Sequence, residues 1–177
     1  MMENQLEKQK QVRLIQVAYC GVMAALVAIS TALVEIPVPA TKGYLNLGDI
    51  MIFVSALVFG PVIGGFAGSV GSSISDVATG YAYYAPYTFL IKGIEGTLAG
   101  LISSRKNVRR DVIAVVFAGT EMVTGYFLAE FFPLQIGWGA LSEVPVNIVQ
   151  IAVGGLIGIP LASVIRRGLP EQWKTKK

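Results

Sequence analysis

The chain contains no histidine and one cysteine. Without histidine it lacks the commonest metal ligand, the usual general base and the side chain that titrates near neutrality. A lone thiol, Cys20, builds neither a disulfide framework nor a thiolate cluster, and inside an apolar run it reads as a small packing residue. Charge is sparse: 14% of the 177 residues are Asp, Glu, Lys or Arg, against 54% hydrophobic. No phosphate-binding glycine loop, zinc signature, nucleophile elbow or paired-carboxylate phosphohydrolase motif is present. Asp76, in SSISDVATG, has no base or metal partner beside it in sequence and reads as a hydrogen-bonded turn or cap. Catalytic residues, a metal and a cofactor are therefore not expected.

What is present is apolar length. Mean hydropathy is +0.63, and a hydrocarbon core of about 30 Å takes about 20 apolar residues per helical crossing. Roughly six crossings with short loops use up the chain. Twelve of the 14 Lys and Arg fall in three stretches: Lys8, Lys10 and Arg13; Arg105, Lys106, Arg109 and Arg110; and Arg166, Arg167, Lys174, Lys176 and Lys177. Such clustering marks the cytoplasmic side of a membrane protein. The net charge of +3 is thus topological, and no nucleic-acid partner is expected.

The expected fold is all-α, an integral membrane bundle of six helices with both termini cytoplasmic. Residues 1–13 form a polar cytoplasmic segment, 14–165 the membrane domain and 166–177 a basic tail. The first apolar run is longer than a signal-peptide core and lacks a clear cleavage site, so it reads as a retained span. The expected spans are 14–35, 48–59, 61–78, 87–102, 112–131 and 144–165. The second is short, tilted or re-entrant, and Gly60-Pro61 turns it into the third. Outside loops fall at 37–47, 80–86 and around Pro133 and Trp138. Six crossings bring every basic cluster to one side, which five or seven do not.

Glycines recur every fourth residue at Gly60, Gly64 and Gly68, at Gly96 and Gly100, and at Gly154 and Gly158. Lipid supplies no hydrophobic drive for helix pairing, so small residues let the helices approach closely. Span 1 carries another smooth face, Gly21, Ala25, Ala28 and Ala32, with Ala24 alongside. That face either packs within the bundle or docks another protein.

Ionisable residues at membrane depth mark a functional site or a buried pair. Here they are Asp49, Asp76, Lys92, Glu95, Glu121 and Glu130. Lys92 can pair with Glu95 three residues on or with Glu121. Near the outer ends stand Tyr81, Tyr83, Tyr84, Tyr87 and Tyr126, with Asn147 and Gln150 on span 6. Aromatic walls with a few convergent amide, carboxylate and ammonium groups suit a small planar polar molecule. An interfacial aromatic belt is the other reading of the tyrosines; it leaves Asn147, Gln150 and Glu121 unexplained.

Three stretches carry a wider resemblance: AYCGVMAALVAISTALVEIP in span 1, GYLNLGDIMIFVSALVFGPVIGGFAGSVGSSISD over spans 2 and 3, and YAPYTFLIKGIEGTLAG in span 4. With the six-span size, the chain resembles the substrate-binding S components of energy-coupling factor (ECF) vitamin transporters. The resemblance implies a cell-membrane capture subunit for a B-vitamin or its precursor, without enzymatic activity of its own. Its partners would be a transmembrane coupling subunit and two cytosolic ATPases. The family's docking motif, Ala-xxx-Ala, falls on Gly21 and Ala25, a departure at the first position, while Ala24 and Ala28 match it literally. The implied vitamin site lies near the outer face among spans 4 to 6, with the first outside loop as lid. On this sequence that selects Asn147, Tyr84, Tyr87, Glu121, Lys92, Tyr126 and Gln150, with Asn46 and Lys42 from the lid. The branch it looks most like handles hydroxymethylpyrimidine or pyridoxine, and the same broad group contains riboflavin transporters. From the residues alone, a stand-alone proton-coupled carrier using Glu95 or Glu121 is the alternative, followed by a lipid-modifying enzyme and a structural subunit.

Overall fold

Twelve residues set the centre of the molecule. The segment from Gly48 to Phe59 is almost entirely apolar, and in the computed structural model it forms α2 (Gly48–Phe59), with Ile52, Phe53, Val54, Ala56, Leu57 and Val58 all buried. Residues 2–104 and 107–169 are described. Of the basic clusters, Arg105, Lys106, Lys174, Lys176, Lys177 and the side chain of Lys8 lie outside them. At 1.5 Å per residue, α2 is about 18 Å long and falls short of the hydrocarbon thickness. It is buried because the other rods surround it.

α1 (Met2–Leu33) begins twelve residues before the expected span. The polar stretch ahead of that span is rich in Glu, Gln, Lys and Leu, all strong helix formers, so one helix runs through both. It stops ahead of Pro37 and Pro39. The segment expected as a plain loop is instead a small hairpin, β1 (Ile36–Val38) against β2 (Gly43–Leu45), antiparallel with Pro37 opposite Tyr44. Pro37 sits on a two-stranded ribbon, where a missing N–H is tolerated, and Pro39 opens the turn that follows.

After α2, Gly60 adopts φ 95° and Pro61 opens the next helix, the pre-set φ of proline suiting a first turn. The third rod comprises α3 (Pro61–Phe66), a π-helical turn (Ala67–Gly71) and α4 (Ser72–Thr79). Gly80 ends it in the left-handed conformation. α5 (Ala85–Ile102) starts two residues earlier than expected, with Pro86 in its first turn. α6 (Val108–Phe131) is capped by Asn107, whose side chain accepts from the Arg109 N–H at 2.9 Å, and so begins four residues early. A 3₁₀ turn (Gly137–Ser142) leads to α7 (Val144–Gly168).

The rods pack around α2 in the order α1, α3/α4, α5, α6, α7, each of α1, α3, α5 and α7 touching α2. The glycine stripes sit at the closest approaches. A Cβ at Gly96 would collide with the Gly64 carbonyl, one at Gly100 with the Pro61 backbone, and one at Gly154 with Asp49 and Phe53. Leu14, Val17, Phe117, Leu156 and Val164 point outward and are well exposed, as expected of side chains that face lipid rather than water. Among the described residues, three segments are long and apolar enough to cross a membrane alone: Gln9–Leu33, Val108–Phe131 and Gly137–Gly168. The remaining rods are short, kinked or charged; of these α2 is buried, while the third rod and α5 present Val62, Ile74 and Leu90 outward.

The rods alternate in direction, so the hairpin, the 80–84 loop and the 132–143 loop gather at one end of the bundle. The ends nearest the basic residues gather at the other. There Arg166 is more than a topological anchor. Its Nη1 donates to Asp111 Oδ2 at 2.6 Å and its Nη2 to the Leu57 carbonyl at 2.6 Å, joining α2, α6 and α7. Ser103, just past α5, donates to Asp111 Oδ1 at 2.6 Å.

Candidate functional site

The hairpin end closes over a polar cavity of about 30 Å³, room for about one water molecule. Each wall has a local cause. Asn46, after β2, accepts from the Gly48 N–H at 2.9 Å and starts α2. Its own N–H donates to Gln150 Oε1 at 3.0 Å, which ties the hairpin to α7. Gln150 Nε2 then donates to Asp49 Oδ2 at 3.1 Å, so both ends of this amide are occupied by protein.

Lys92 is buried under the cavity. Its Nζ lies 2.5 Å from Asp49 Oδ1 and 2.9 Å from Glu95 Oε2, and 5.7 Å from the centre of the Tyr126 ring. Of the two partners the sequence offered, the structure gives Lys92 the intrahelical Glu95 and adds Asp49. Two carboxylates on one ammonium repay the desolvation that a lone buried charge would incur.

The hairpin is held at its tip and flank. Tyr44 donates to Asp76 Oδ1 at 2.7 Å, and Tyr83 donates to the Lys42 carbonyl at 2.5 Å. The Tyr84 hydroxyl lies 3.1 Å from both the Thr41 carbonyl and Glu130 Oε1, and the Thr41 hydroxyl donates to Glu143. Burial foremost, aided by the charge of Asp76 for Tyr44 and of Glu143 for Tyr84, raises both phenols above their ordinary range. They remain O–H donors at any physiological pH. At Gly43 the backbone comes so close to the Glu143 carboxyl that a Cβ would displace that side chain.

Of the residues selected from sequence, Tyr84, Lys92, Tyr126, Asn147, Gln150 and Asn46 line the cavity together. Tyr87, Glu121 and Lys42 do not line it. Tyr87 packs beside Ile91, Met122 and Ala129. Glu121 is half-buried on α6 with Oε2 unpaired, and the Lys42 side chain is exposed at the hairpin tip, where φ is 57°. Sequence reasoning passed over Asp76, Thr31, Tyr44, Thr88 and Glu143, all of which line the cavity. For Asp76 the signal was present, a carboxylate at membrane depth, but it was read as a cap. Its Oδ1 instead accepts from the Tyr44 hydroxyl, and α4 ends at a glycine four residues beyond. Thr31 and Thr88 carry no charge and left no comparable signal.

On α1, Gly21 and Ala25 are exposed, and a Cβ on Gly21 would meet nothing within 4 Å. Ala24 is 6% exposed and turned inward, its carbonyl against Gly71. Ala28 is half-buried, so of the two registers Gly21 and Ala25 are the pair that both lie on the outer surface. Among the described residues, no group of His, Cys, Asp or Glu is arranged to hold a metal ion.

Residues 11–167 match the family described as the ECF-type riboflavin transporter, S component. An uncharacterized protein in the gap 3′ region of Pyrococcus woesei is 43% identical over 142 residues, covering 80% of this chain and 95% of the relative. The thiamine precursor transporter HmpT of Lactococcus lactis subsp. cremoris is 32% identical over 153 residues, covering 83% and 85%. A UPF0397 protein of Streptococcus pneumoniae serotype 19F is 30% identical over 128 residues, covering 72% and 66%.

Proposed function

The chain belongs to the ECF-type riboflavin transporter S component family, and from that premise we propose that it is the membrane-embedded capture subunit of an ATP-driven importer for a B-vitamin or vitamin precursor. The observation that carries this reading is an enclosed, aromatic-walled polar cavity at one end of an otherwise apolar bundle. Hydroxymethylpyrimidine or pyridoxine is the preferred substrate, in keeping with the relative described as a thiamine precursor transporter, and riboflavin is the next. The closed cavity of about 30 Å³ is too small for any of these, so the hairpin moves aside for entry. Its attachments are a handful of hydrogen bonds, each worth about 1 kcal/mol net.

The hairpin end faces outward and the Arg166 end, with both termini, faces the cytoplasm of the cell, following the basic clusters. Within the site, Asn147 and Asp76 meet the ligand's polar groups, and Tyr44, Tyr84 and Tyr126 flank its ring. Lys92 and Gln150 set the shape of the site from beneath. The Gly21 and Ala25 surface of α1 docks on a transmembrane coupling subunit, and two cytosolic ATPases attached to that subunit supply the energy.

Purification in detergent, identification of the co-purifying small molecule by mass spectrometry and titration of that molecule test the reading. A vitamin-type ligand of nanomolar affinity, weakened by Asn147→Ala, is expected; absence of any such ligand overturns it. Gly21→Trp is expected to abolish assembly with the coupling subunit and leave ligand binding intact. Uptake by the purified chain alone, driven by a proton gradient, would establish the stand-alone carrier instead.

A further inference from the structure

Within the capture reading, and resting on it, we infer that the cavity is an acceptor site: it takes a nitrogen heterocycle through the ring's own N–H or O–H donors and excludes the phosphate esters of that ring.

The argument begins with which polar atoms remain free. Thr31 is 1% exposed and Asp76 is 3% exposed, both line the cavity, and Thr31 Oγ1 and Asp76 Oδ2 receive no hydrogen bond. Thr88 stands beside the Asp76 carboxyl and accepts from the Tyr126 hydroxyl at 3.2 Å; its own O–H can serve Asp76 once, and a carboxylate with several lone pairs still accepts a ligand's donor. A buried acceptor without a donor costs about 1–3 kcal/mol. A ligand that brings a donor to Asp76 Oδ2 recovers that cost, whereas one that brings only acceptors does not.

Of the cavity's donors, the charged one is already engaged: Lys92 is held between Asp49 and Glu95, and one Gln150 amide hydrogen goes to Asp49, which leaves the neutral Asn147 amide and Thr31 hydroxyl for a ligand. Among the described residues, no arginine and no second lysine lines the cavity. Around that single ammonium stand the carboxyls of Asp49, Asp76, Glu95 and Glu143, with Glu35 and Glu130 behind Asp76 and Tyr84. A phosphate ester adds between about 1.5 and 2 negative charges. Opposed like charges across a desolvated contact cost several kcal/mol. Phosphate sites are built from arginine forks, lysines or helix N-termini; here the single lysine is held by two carboxylates, and the start of α7 sets the Glu143 carboxyl on the cavity wall. The tyrosine faces complete the selection, since an electron-rich ring attracts a planar, electron-poor or cationic partner.

The test is calorimetric titration of the full-length protein in detergent with hydroxymethylpyrimidine, pyridoxine and riboflavin, each against its own monophosphate ester. For whichever ring binds, the ester is expected to bind at least roughly 100-fold more weakly, the equivalent of about 2.7 kcal/mol. Asp76→Asn is expected to weaken the free ring and to narrow the discrimination against the ester at least roughly tenfold, a change that loss of folding would not produce. Thr31→Val, which keeps shape and removes the hydroxyl, is expected to weaken the free ring alone. An ester that binds as well as its ring overturns this inference and leaves the capture reading standing. Failure of all three rings and all three esters overturns both. The wild-type comparison depends on no variant folding.

Discussion

Arg166 and Asp111 face each other at the end of the bundle opposite the cavity, with Nη1 2.6 Å from Oδ2 and Nη2 3.2 Å from Oδ1, a bidentate pair. The same guanidinium reaches the Leu57 carbonyl, one of the last carbonyls of α2, which no helical N–H can satisfy. One side chain thus closes the short central helix and fastens it to two long ones. Arg166→Ala is expected to lower stability by about 2–4 kcal/mol, because it leaves the Leu57 carbonyl unpaired and the buried Asp111 carboxylate with the Ser103 hydroxyl but no counter-charge. Arg167→Ala, one residue on and exposed, is expected to change stability by less than about 0.5 kcal/mol. Thermal unfolding of both variants in detergent compares them directly.

The buried triad of Lys92, Asp49 and Glu95 makes a second prediction. Lys92→Met leaves two carboxylates facing each other without a cation, and a loss of about 3–5 kcal/mol is expected. Adding Asp49→Asn to that variant removes one of the stranded charges, so the double variant is expected to be more stable than the single. Unfolding measurements on the two proteins decide it, and a double variant less stable than the single would contradict the pairing.

Close helix approach makes a third. Gly96→Val places two methyl groups against the Gly64 carbonyl. A carbonyl in a packed helix cannot move aside, so a loss at the upper end of the usual 1–3 kcal/mol overpacking range is expected, roughly 3 kcal/mol. Gly21→Ala meets open space and is expected to leave unfolding temperature unchanged, or to raise it slightly through helix propensity.

Tyr44 and Asp76 make the fourth. Tyr44→Phe removes the donor to Asp76 Oδ1, with a ring of nearly the same volume left in place. The hairpin loses one of its attachments, so hydrogen exchange over residues 36–47 is expected to speed up. Exchange at the Arg166 end is expected to stay constant, and a uniform acceleration would instead signal global destabilisation.

Much of this architecture was legible because membrane proteins write it in composition. Five of the six expected spans coincide with observed rods to within four residues at each end, since apolar length and basic clustering act over whole helices. The start of α1 was missed because helix propensity continues where hydrophobicity stops. The hairpin was missed because three-residue strands, one of them holding a proline and followed by another, carry no alternating pattern. At the site, Tyr84, Lys92, Tyr126, Asn147 and Gln150 stood out as polar or aromatic residues in apolar surroundings. Glu121 stood out equally and lies elsewhere, because sequence gives depth along a helix but not which side it presents. The division of labour was not legible at all. That Gln150 and Lys92 are tied to buried carboxylates, while Thr31 Oγ1 and Asp76 Oδ2 receive no hydrogen bond, depends on contacts between residues up to 104 positions apart.

The π-helical turn at Ala67–Gly71 gives the third rod a phase shift. Such a turn holds one residue more than the α-helical turn it replaces, which rotates everything after it by about 100°. Asp76 and Ser72 both follow it, and both line the cavity. Their direction is therefore set by a count of residues upstream as well as by their own identity. Deleting a single residue such as Val70 would leave the composition, hydropathy and length of the rod almost unchanged. It would also swing the acceptor carboxylate off the cavity wall.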